Sequence, residues 1–168
     1  IIEEARCWDT TEKILYISTD KTVSDKKNVM GATKMCAETI NSSMGFTSVR
    51  FGNVMHSRGS VLEIWKRQRE AGEPLTITDP NMDRYMMDIP EACSLVIEAI
   101  EKGKGGATFI LDMGQPKKII DLKNELYGQD YPTRIIGLRP GESMSERLMT
   151  DDEAKRAKKV DGFFILEP

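Results

Sequence analysis

The sequence predicts an α/β fold with a largely parallel sheet. Short apolar runs typical of buried strands alternate along the chain with longer segments whose apolar residues recur at helical spacing. The chain has 168 residues, of which 39% are hydrophobic and 30% charged, so it can bury a core of ordinary size. These observations favour one compact unit.

The first elements are predicted from spacing and from the residues that end them. Residues 1–8 have the apolar spacing of the end of a helix, which suggests that this is the carboxyl-terminal portion of a longer protein. A buried strand is predicted at 14–17 and a second at 47–51. Between them, a helix from about Val29 to Met44 ends before Gly45, because glycine is favoured just past a helix.

The middle of the chain repeats this alternation. A helix over 61–71 ends at Gly72 and is followed by a strand at 75–78. A further helix begins at Pro90, since proline suits the first turn of a helix, and ends before Gly103.

The last elements are shorter. A strand is predicted at 109–111, a helix at 119–127 and an extended segment from Thr133 to Leu138. Thr150 and Glu153 form a capping box, which predicts a last helix through Lys159 before a strand at 163–166.

Composition excludes several classes of function. The net charge of −3 and pI of about 5.4 argue against nucleic acid as the main partner. No apolar run reaches the roughly 18 residues of a membrane span. The three cysteines are scattered, which suits reduced thiols in a cytoplasmic protein. His56 is the single histidine, so a histidine-based metal cluster and a Ser-His-Asp triad are not expected, and no metal site is predicted.

Phosphate-binding loops are absent from the sequence. It contains no G-x-G-x-x-G between a strand and a helix, and no Walker loop. The glycines at 103, 105 and 106 follow a helix and precede a strand, which is the wrong order to hold a pyrophosphate. They are interpreted as a flexible helix end and loop.

The segment from Ser18 to Lys21 is the first candidate for chemistry. It follows a predicted buried strand, and ligands of open α/β sheets lie at the carboxyl ends of the strands. Thr19, Asp20 and Lys21 supply a hydroxyl, a carboxyl and an amine side by side. The alternative is a polar loop in which Asp20 caps a turn.

Met30 and Lys34 share one face of the predicted helix. A lysine there could bind a ribose diol or lower the pKa of a neighbour. The alternative is that Met30 is a core contact and Lys34 a solvated charge.

Dispersed arginines form a third candidate. Arg58, Arg84 and Arg139 each offer a guanidinium fork suited to a diphosphate, although exposed arginines paired with surface carboxylates are the usual case. A Pro-Gly turn presents Arg139 together with Glu142, unless it is a plain tight turn.

Five runs occur together and in order: STDKTVSDKKNVMGATKMCAE, SVRFGNVMHSRGSV, LTITDPNMDRYMMDIPEA, FILDMGQPKKIIDL and GLRPGESMSERLMT. Together they resemble the polysaccharide biosynthesis family, the inverting UDP-N-acetylglucosamine 4,6-dehydratases and their capsule-synthesis relatives among the extended short-chain dehydrogenases. The resemblance covers essentially the whole chain. It implies a partial Rossmann-type parallel sheet with a small carboxyl-terminal α/β region that binds substrate. Residues 1–60 would be the carboxyl half of the Rossmann-like domain, and 61–168 the interleaved nucleotide-sugar-binding region.

The resemblance also implies roles for individual residues. Lys21 would be the base at C5 of the sugar, Asp20 the acid that protonates the departing C6 hydroxyl, and Thr19 a hydrogen-bonding partner near the C4 hydroxyl. Ser18 and Lys34 would contact the cofactor, NAD or NADP, with Lys34 on the nicotinamide ribose. The UDP-sugar would be held by Asn53, Arg58, Arg84, Arg139 and Glu142.

One position departs from the wider pattern. Most short-chain dehydrogenases have tyrosine where Met30 stands, and a thioether cannot exchange a proton. The resemblance extends to a branch with methionine here, so the C4 base is left open.

The sequence is therefore consistent with three functions. The first is the carboxyl part of a dehydratase of surface polysaccharide biosynthesis, and the second is an incomplete module that binds a nucleotide sugar or a partner subunit. The third, a UDP-sugar 4-epimerase, shares the oxidation at C4, but the Asp20–Lys21 pair favours elimination. A half-sheet would also have an unpaired edge. We therefore expect a homo-oligomer or association with a missing amino-terminal half.

Overall fold

The central sheet is built from five strands that come from both halves of the chain. The structure, a computed structural model, describes residues 4, 7, 8, 10–24 and 28–168, so the helix predicted over 1–8 lies largely outside the described residues. The strands are β1 Leu15–Thr19, β2 Thr47–Phe51, β3 Asn53–Val54, β4 Leu75–Ile77, β5 Asp83–Arg84, β6 Met86–Met87, β7 Thr108–Leu111, β8 Lys117–Lys118, β9 Thr133–Ile135, β10 Lys158–Val160 and β11 Phe163–Leu166. The helices are α1 Val29–Ser43, α2 Val61–Glu70, α3 Ile89–Lys102, α4 Ile119–Tyr127 and α5 Asp151–Arg156, with a 3₁₀ helix at Asp20–Val23.

The order of the main sheet is β1-β2-β7-β11-β10. β1, β2 and β7 run parallel, with Ser18 opposite Arg50 and Arg50 opposite Ile110. β11 and β10 add to the far side as an antiparallel hairpin. No described strand pairs with the outer edge of β1. The predicted α/β class is confirmed, and the sheet is parallel only in its first three strands.

Opposite faces of β2 carry different chemistry, because successive side chains of a strand point to opposite faces. Val49 packs with Leu95 of α3 in the apolar cluster beneath the sheet. Arg50, on the other face, forms ion pairs with Glu38 of α1 and Glu153 of α5 and donates to the Leu148 carbonyl. A buried charged cluster therefore ties two helices to the centre of the sheet.

A second apolar core is formed by residues between Leu62 and Leu122. It joins α2, β4 and α4, and its fully buried Trp65 donates from Nε1 to the Thr76 carbonyl at 2.8 Å. Its other buried members are Leu62, Leu75, Ile77, Met82, Ile119 and Leu122. The three-residue spacing of Leu62 and Trp65 in α2 and the alternation of Leu75 and Ile77 in β4 place these side chains on inner faces.

The end of the chain differs from the prediction. The helix predicted through Lys159 ends at Arg156, and Lys158–Val160 is a strand. Asp161 and Gly162 have φ of 48° and 83°, the backbone that a tight antiparallel hairpin requires. Pairing with β11 therefore overrides the helical pattern that continues from the capping box at Thr150.

Other element bounds shift by a residue or more. α3 begins at Ile89, since Asp88 caps it and accepts from Glu91 N at 2.7 Å. The extended segment predicted through Leu138 is a strand only to Ile135, because Gly137 turns the chain with φ 78°. No described helix is long and apolar enough to cross a membrane.

Candidate active site

The 3₁₀ helix places Asp20 and Lys21 directly after β1, at the carboxyl end of the parallel strands. Thr19 is its N-cap: its hydroxyl accepts from Lys21 N at 3.4 Å and donates to Asp20 Oδ1 at 3.0 Å. Because a hydroxyl at this position satisfies a free helix amide, the sequence S-T-D-K itself ends the strand and turns the chain.

Asp20 is a fully buried carboxyl group. Its Oδ1 atom lies 3.2 Å from the Lys21 amine, and its Oδ2 atom has no hydrogen-bond partner among the described residues. Burial, followed by the negative charge of Glu146, raises the pKa of Asp20 from 3.8 to about 6, against the opposing effect of Lys21. Asp20 can therefore carry a proton near neutral pH.

The Lys21 amine lies between two carboxylates. It is 3.2 Å from Asp20 Oδ1 and 3.1 Å from Glu146 Oε1. Burial by itself lowers the pKa of Lys21, but the charges of Asp20 and Glu146 outweigh burial and raise that pKa above its ordinary value. Lys21 is thus an ammonium ion in the unliganded site.

Glu146 anchors this cluster from the opposite side. Its Oε1 atom is 3.3 Å from Arg84 Nε, and its Oε2 atom accepts from Asn53 Nδ2 at 2.7 Å. Burial, its largest single influence, raises the pKa of Glu146, but Lys21, Asp20, Arg84 and Asn53 together lower it below its ordinary value. Glu146 is therefore a buried carboxylate.

Arg84 fixes the loop that carries Glu146. Its guanidinium donates to the carbonyls of Asp83, Ser143 and Met144 at 2.6 to 3.0 Å. Because the donors of Arg84 are largely engaged within the protein, its position supports a structural role in shaping the loop. Direct contact between Arg84 and a substrate stays a prediction.

The same loop is tied to the start of α1. The hydroxyls of Ser24 and Ser143 are 2.8 Å apart, and Asn28 Nδ2 donates to the Gly141 carbonyl at 3.4 Å. Asn28 also caps α1, accepting from Gly31 N at 2.8 Å. These bonds close one wall of a cavity.

The cavity has a volume of about 470 Å³. It collects most of the predicted site residues and several that the sequence analysis did not select. Its lining includes Lys21, Ser24, Asn28, Met30, Asn53, Arg84, Arg139, Glu142, Ser143 and Glu146. Basic, acidic and amide groups converge here, which suits a polar, charged ligand.

Met30 belongs to the cavity wall and not to the core. Its side chain is 46% exposed, so the alternative of a core contact is wrong. Lys34, one turn further along α1, lies outside the lining: its amine donates to the Ile17 carbonyl at 3.0 Å and lies 5.0 Å from the centre of the Tyr16 ring. Met30 thus faces the cavity, whereas Lys34 contacts β1 at Tyr16 and Ile17.

Ser18 and Arg58 are also separate from the cavity. Ser18 is buried in β1, and its hydroxyl has no hydrogen-bond partner among the described residues. Arg58 is exposed in the wall of a neighbouring cavity of about 210 Å³, which shares Asn53 and Arg84 with the first. A ligand bound in the first cavity can therefore contact Arg58 only if it extends into the second.

Arg139 and Glu142 occupy the rim, as the turn at Pro140 predicts. Glu142 Oε2 accepts from Arg139 N at 3.1 Å, which closes the turn, and Arg139 is exposed at the cavity wall. The described residues contain no cluster of three or more His, Cys, Asp or Glu suited to a metal ion.

Sequence reasoning missed Glu146. The residue lies in the last of the five runs, four positions after Glu142, but nothing local distinguishes it from the exposed acids around it. Its burial and its contacts with Lys21 and Asn53 depend on packing between distant segments, which one sequence does not reveal.

The family of this chain follows from its similarity to known proteins. A family described as polysaccharide biosynthesis protein matches residues 2–168. The chain belongs to this polysaccharide biosynthesis family. The resemblance predicted from the five runs is thereby confirmed.

One curated relative and one solved structure show how far the similarity extends. EpsC, a probable polysaccharide biosynthesis protein of Bacillus subtilis, is 48% identical over 164 residues, covering 90% of this chain and 27% of EpsC. The X-ray structure of Pen from Bacillus thuringiensis superposes with a TM-score of 0.81 at 39% identity, covering 92% of this chain and 52% of Pen. The chain thus spans about a quarter of EpsC and about half of Pen.

More distant solved structures identify the fold alone. The dTDP-glucose 4,6-dehydratase of Bacillus anthracis, solved in complex with NAD, has a TM-score of 0.70 at 12% identity over 83% of this chain and 53% of that protein. The polysaccharide biosynthesis family member described here therefore has a Rossmann-type α/β fold of the kind seen in that structure.

Proposed function

We propose that this chain forms the proton-transfer and nucleotide-sugar-binding part of a 4,6-dehydratase. The substrate would be a UDP-N-acetylglucosamine-like sugar nucleotide, with inversion at C5, and the cofactor NAD or NADP. The observation that carries the proposal is the Lys21 amine, held 3.2 Å from the buried carboxyl of Asp20 at the wall of a polar cavity.

Elimination of the C6 hydroxyl needs a base at C5 and an acid at C6. The Asp20–Lys21 pair holds one proton between its two groups, resting on Lys21 in the unliganded site. Transfer of this proton along their hydrogen bond produces a neutral amine and a carboxylic acid in one step. The raised pKa of Asp20 lowers the cost of that transfer, whereas the raised pKa of Lys21 increases it.

The pair can then complete the elimination. The Lys21 amine takes the C5 proton, the C5–H electrons form a double bond to C6, and the C6–O bond breaks. Asp20 gives its proton to the departing hydroxyl, which leaves as water. Lys21 ends as an ammonium and Asp20 as a carboxylate, so charge and atoms balance. Inversion at C5 then requires that the proton returning to C5 arrive from the face opposite Lys21.

The chain's residues fit the nicotinamide end of a dinucleotide. Ser18 offers a buried hydroxyl without a described partner, and the Lys34 amine donates to the carbonyl of Ile17, the residue before Ser18 in β1. When bound, NAD supplies the hydride acceptor at C4 and the hydride donor at C6. Met30 has no exchangeable proton and takes no part in acid–base transfer.

The test separates chemistry from binding. Lys21→Ala, in a complete enzyme that contains this chain, should abolish exchange of the C5 proton with deuterated solvent while changing UDP-sugar affinity only a few-fold. Lys117→Ala, at a surface ion pair with Glu125, is the matched control and should retain exchange. Loss of affinity without a specific loss of exchange would remove Lys21 from the base role.

One observation favours a second candidate, an incomplete module that binds a nucleotide sugar or a partner. No described strand covers the outer edge of β1, and the sequence has no glycine-rich phosphate loop. Native mass spectrometry of the chain with UDP-N-acetylglucosamine distinguishes the cases. Retention of the ligand by a monomer or dimer shows an autonomous substrate half, whereas a folded chain that binds nothing needs a partner half to complete the cavity.

A further inference from the structure

Glu146 joins three elements at the centre of the cavity. Its two oxygens contact Lys21 of the 3₁₀ helix, Arg84 of β5 and Asn53 of β3, at 3.1, 3.3 and 2.7 Å. Its side chain is only 5% exposed. Rotation of this carboxylate would break a contact with at least one of these elements, so its orientation is fixed from three directions.

We propose that Glu146 is a positioning residue, which holds the Lys21 amine against Asp20 in the geometry where the two groups share one proton. The inference rests on the proposed function for its catalytic consequence. Its structural part, that Glu146 governs the Asp20–Lys21 pair, can be tested on the chain alone.

The geometry gives Lys21 two carboxylate neighbours and not one. Lysine has a long, flexible side chain, and a single partner would leave its amine free to swing about Asp20. The second contact, to Glu146, restricts that motion and faces the amine toward the cavity. Misplacement of a reacting group by about 1 Å can cost on the order of 10²-fold in rate.

The charges of the cluster balance only when Glu146 is present. Asp20 is faced by Lys21 and Glu146, and Glu146 by Lys21 and Arg84, with Glu142 4.0 Å beyond Arg84. Removal of the charge on Glu146 takes away the negative charge beside Asp20 and leaves Lys21 as the charged group that faces it. The Asp20 carboxylate is then favoured, and its pKa should fall below about 6, while burial, the largest cause of its raised pKa, still acts on it.

The first arm of the test is a carboxyl-carbon NMR titration of the full chain. Glu146→Gln keeps the shape of the side chain and removes its charge, so the Asp20 titration should move to lower pH. Glu146→Asp keeps the charge and should give a smaller shift. Glu125→Gln, which removes an exposed carboxylate paired with Lys117, is the control and should leave Asp20 unchanged.

The second arm measures activity in a complete enzyme. Glu146→Gln should lower kcat by on the order of 10²-fold with KM for the UDP-sugar changed only a few-fold, and Glu146→Asp should recover part of kcat. The pH at which kcat/KM breaks should move with the Asp20 titration. A residue that merely supported the loop would alter KM and stability and leave that break in place.

The outcomes separate this inference from the proposed function. An unchanged Asp20 titration in Glu146→Gln overturns the inference. A second outcome combines a shifted Asp20 titration in Glu146→Gln with a complete wild-type enzyme that shows no C5 exchange. It supports control of the pair by Glu146 and contradicts the dehydratase. If Glu146→Gln does not fold, the wild-type chain decides: the Glu146 carboxyl resonance must change at the pH where Asp20 titrates, and a flat resonance there overturns the inference.

Discussion

A Cβ atom at Gly31 would lie 2.5 Å from the carbonyl oxygen of Lys21, far closer than a carbon atom can approach. The first turn of α1 therefore crosses the 3₁₀ helix at a distance that only glycine permits. This contact sets where Asn28 and Met30 stand relative to the Lys21 amine, and so links the helix start to the cavity.

Gly31→Ala should destabilise the chain, although alanine is the better helix former. The steric cost of an extra methyl group in a packed contact is about 1–3 kcal/mol, and the helix-propensity gain is at most about 1 kcal/mol. Urea unfolding would measure the difference. Thr33→Ala, at an exposed position of α1, is the control and should not destabilise. Equal stability of Gly31→Ala and wild type would show that the two helices separate without cost.

The pH dependence of kcat/KM should reveal the single proton of the Asp20–Lys21 pair. The pKa of Asp20 is raised to about 6 and that of Lys21 lies above its ordinary value, so between them the pair carries one proton. Below about pH 6 a second proton binds to Asp20, and Lys21 can no longer pass its own proton on. We expect kcat/KM to fall about tenfold per unit below that pH and to be level above it. A fall above pH 6 instead would mean that Lys21 reacts as an ammonium and is not the C5 base.

The buried cluster around Arg50 should dominate stability on the sheet face. The Arg50 side chain is 3% exposed and bonds to Glu153 at 3.0 Å, to Glu38 and to the Leu148 carbonyl. Arg50→Met would leave two acids without their cation, at a cost of about 3–5 kcal/mol. Denaturant unfolding at neutral pH measures it, and a loss under 1 kcal/mol would show that water reaches the acids.

The same cluster predicts an acid-dependent loss of stability. Burial raises the pKa of Glu153, but its bonds with Arg50 and Thr150 outweigh burial and lower that pKa below 4.5. The stabilisation is therefore complete above the unfolded-state pKa near 4.5 and is lost as the pH falls through the folded-state value. Glu153→Gln should flatten this part of the stability profile, whereas Asp152→Asn, at an exposed ion pair with Lys155, should not.

Arg139 and Arg84 should respond differently to removal. Arg139 is exposed at the cavity rim, so Arg139→Ala should weaken UDP-sugar binding by about 1.5–3 kcal/mol, the range for a hydrogen bond to a charged group, and leave folding intact. Arg84→Ala removes the partner of buried Glu146 and the donors to the loop carbonyls, so it should lower the unfolding free energy as well. Calorimetric titration and thermal unfolding of both variants make the comparison. Equal unfolding profiles would contradict the structural role of Arg84.

The sequence predicted those parts of the site whose residues are neighbours in the chain. Asp20 and Lys21 follow a strand directly, and Arg139 and Glu142 share one turn, so local pattern was sufficient to pair them. Glu146 was missed because its burial comes from contacts with Lys21, far away in the sequence. Local signals cannot report packing of that kind.

The fold shows the same division. The parallel order of β1 and β2 follows from a strand–helix–strand pattern. The β10–β11 hairpin was missed, even though Asp161 and Gly162 carry a recognised turn signal, because the capping box at Thr150 gave an equally strong local signal for helix. Lys34 shares a helix face with Met30 in the sequence pattern, yet its amine turns to the β1 carbonyl of Ile17.

The contact between Ser24 and Ser143 spans 119 positions of the chain, and this has a consequence during synthesis on the ribosome. A nascent chain can form β1, α1 and β2 early, since domains fold progressively from the amino terminus. In that intermediate Asp20 and Lys21 are already side by side, without the loop that completes the cavity. Ligand-binding competence should therefore appear late in synthesis, once the segment around Ser143 has emerged and can close the cavity wall against Ser24.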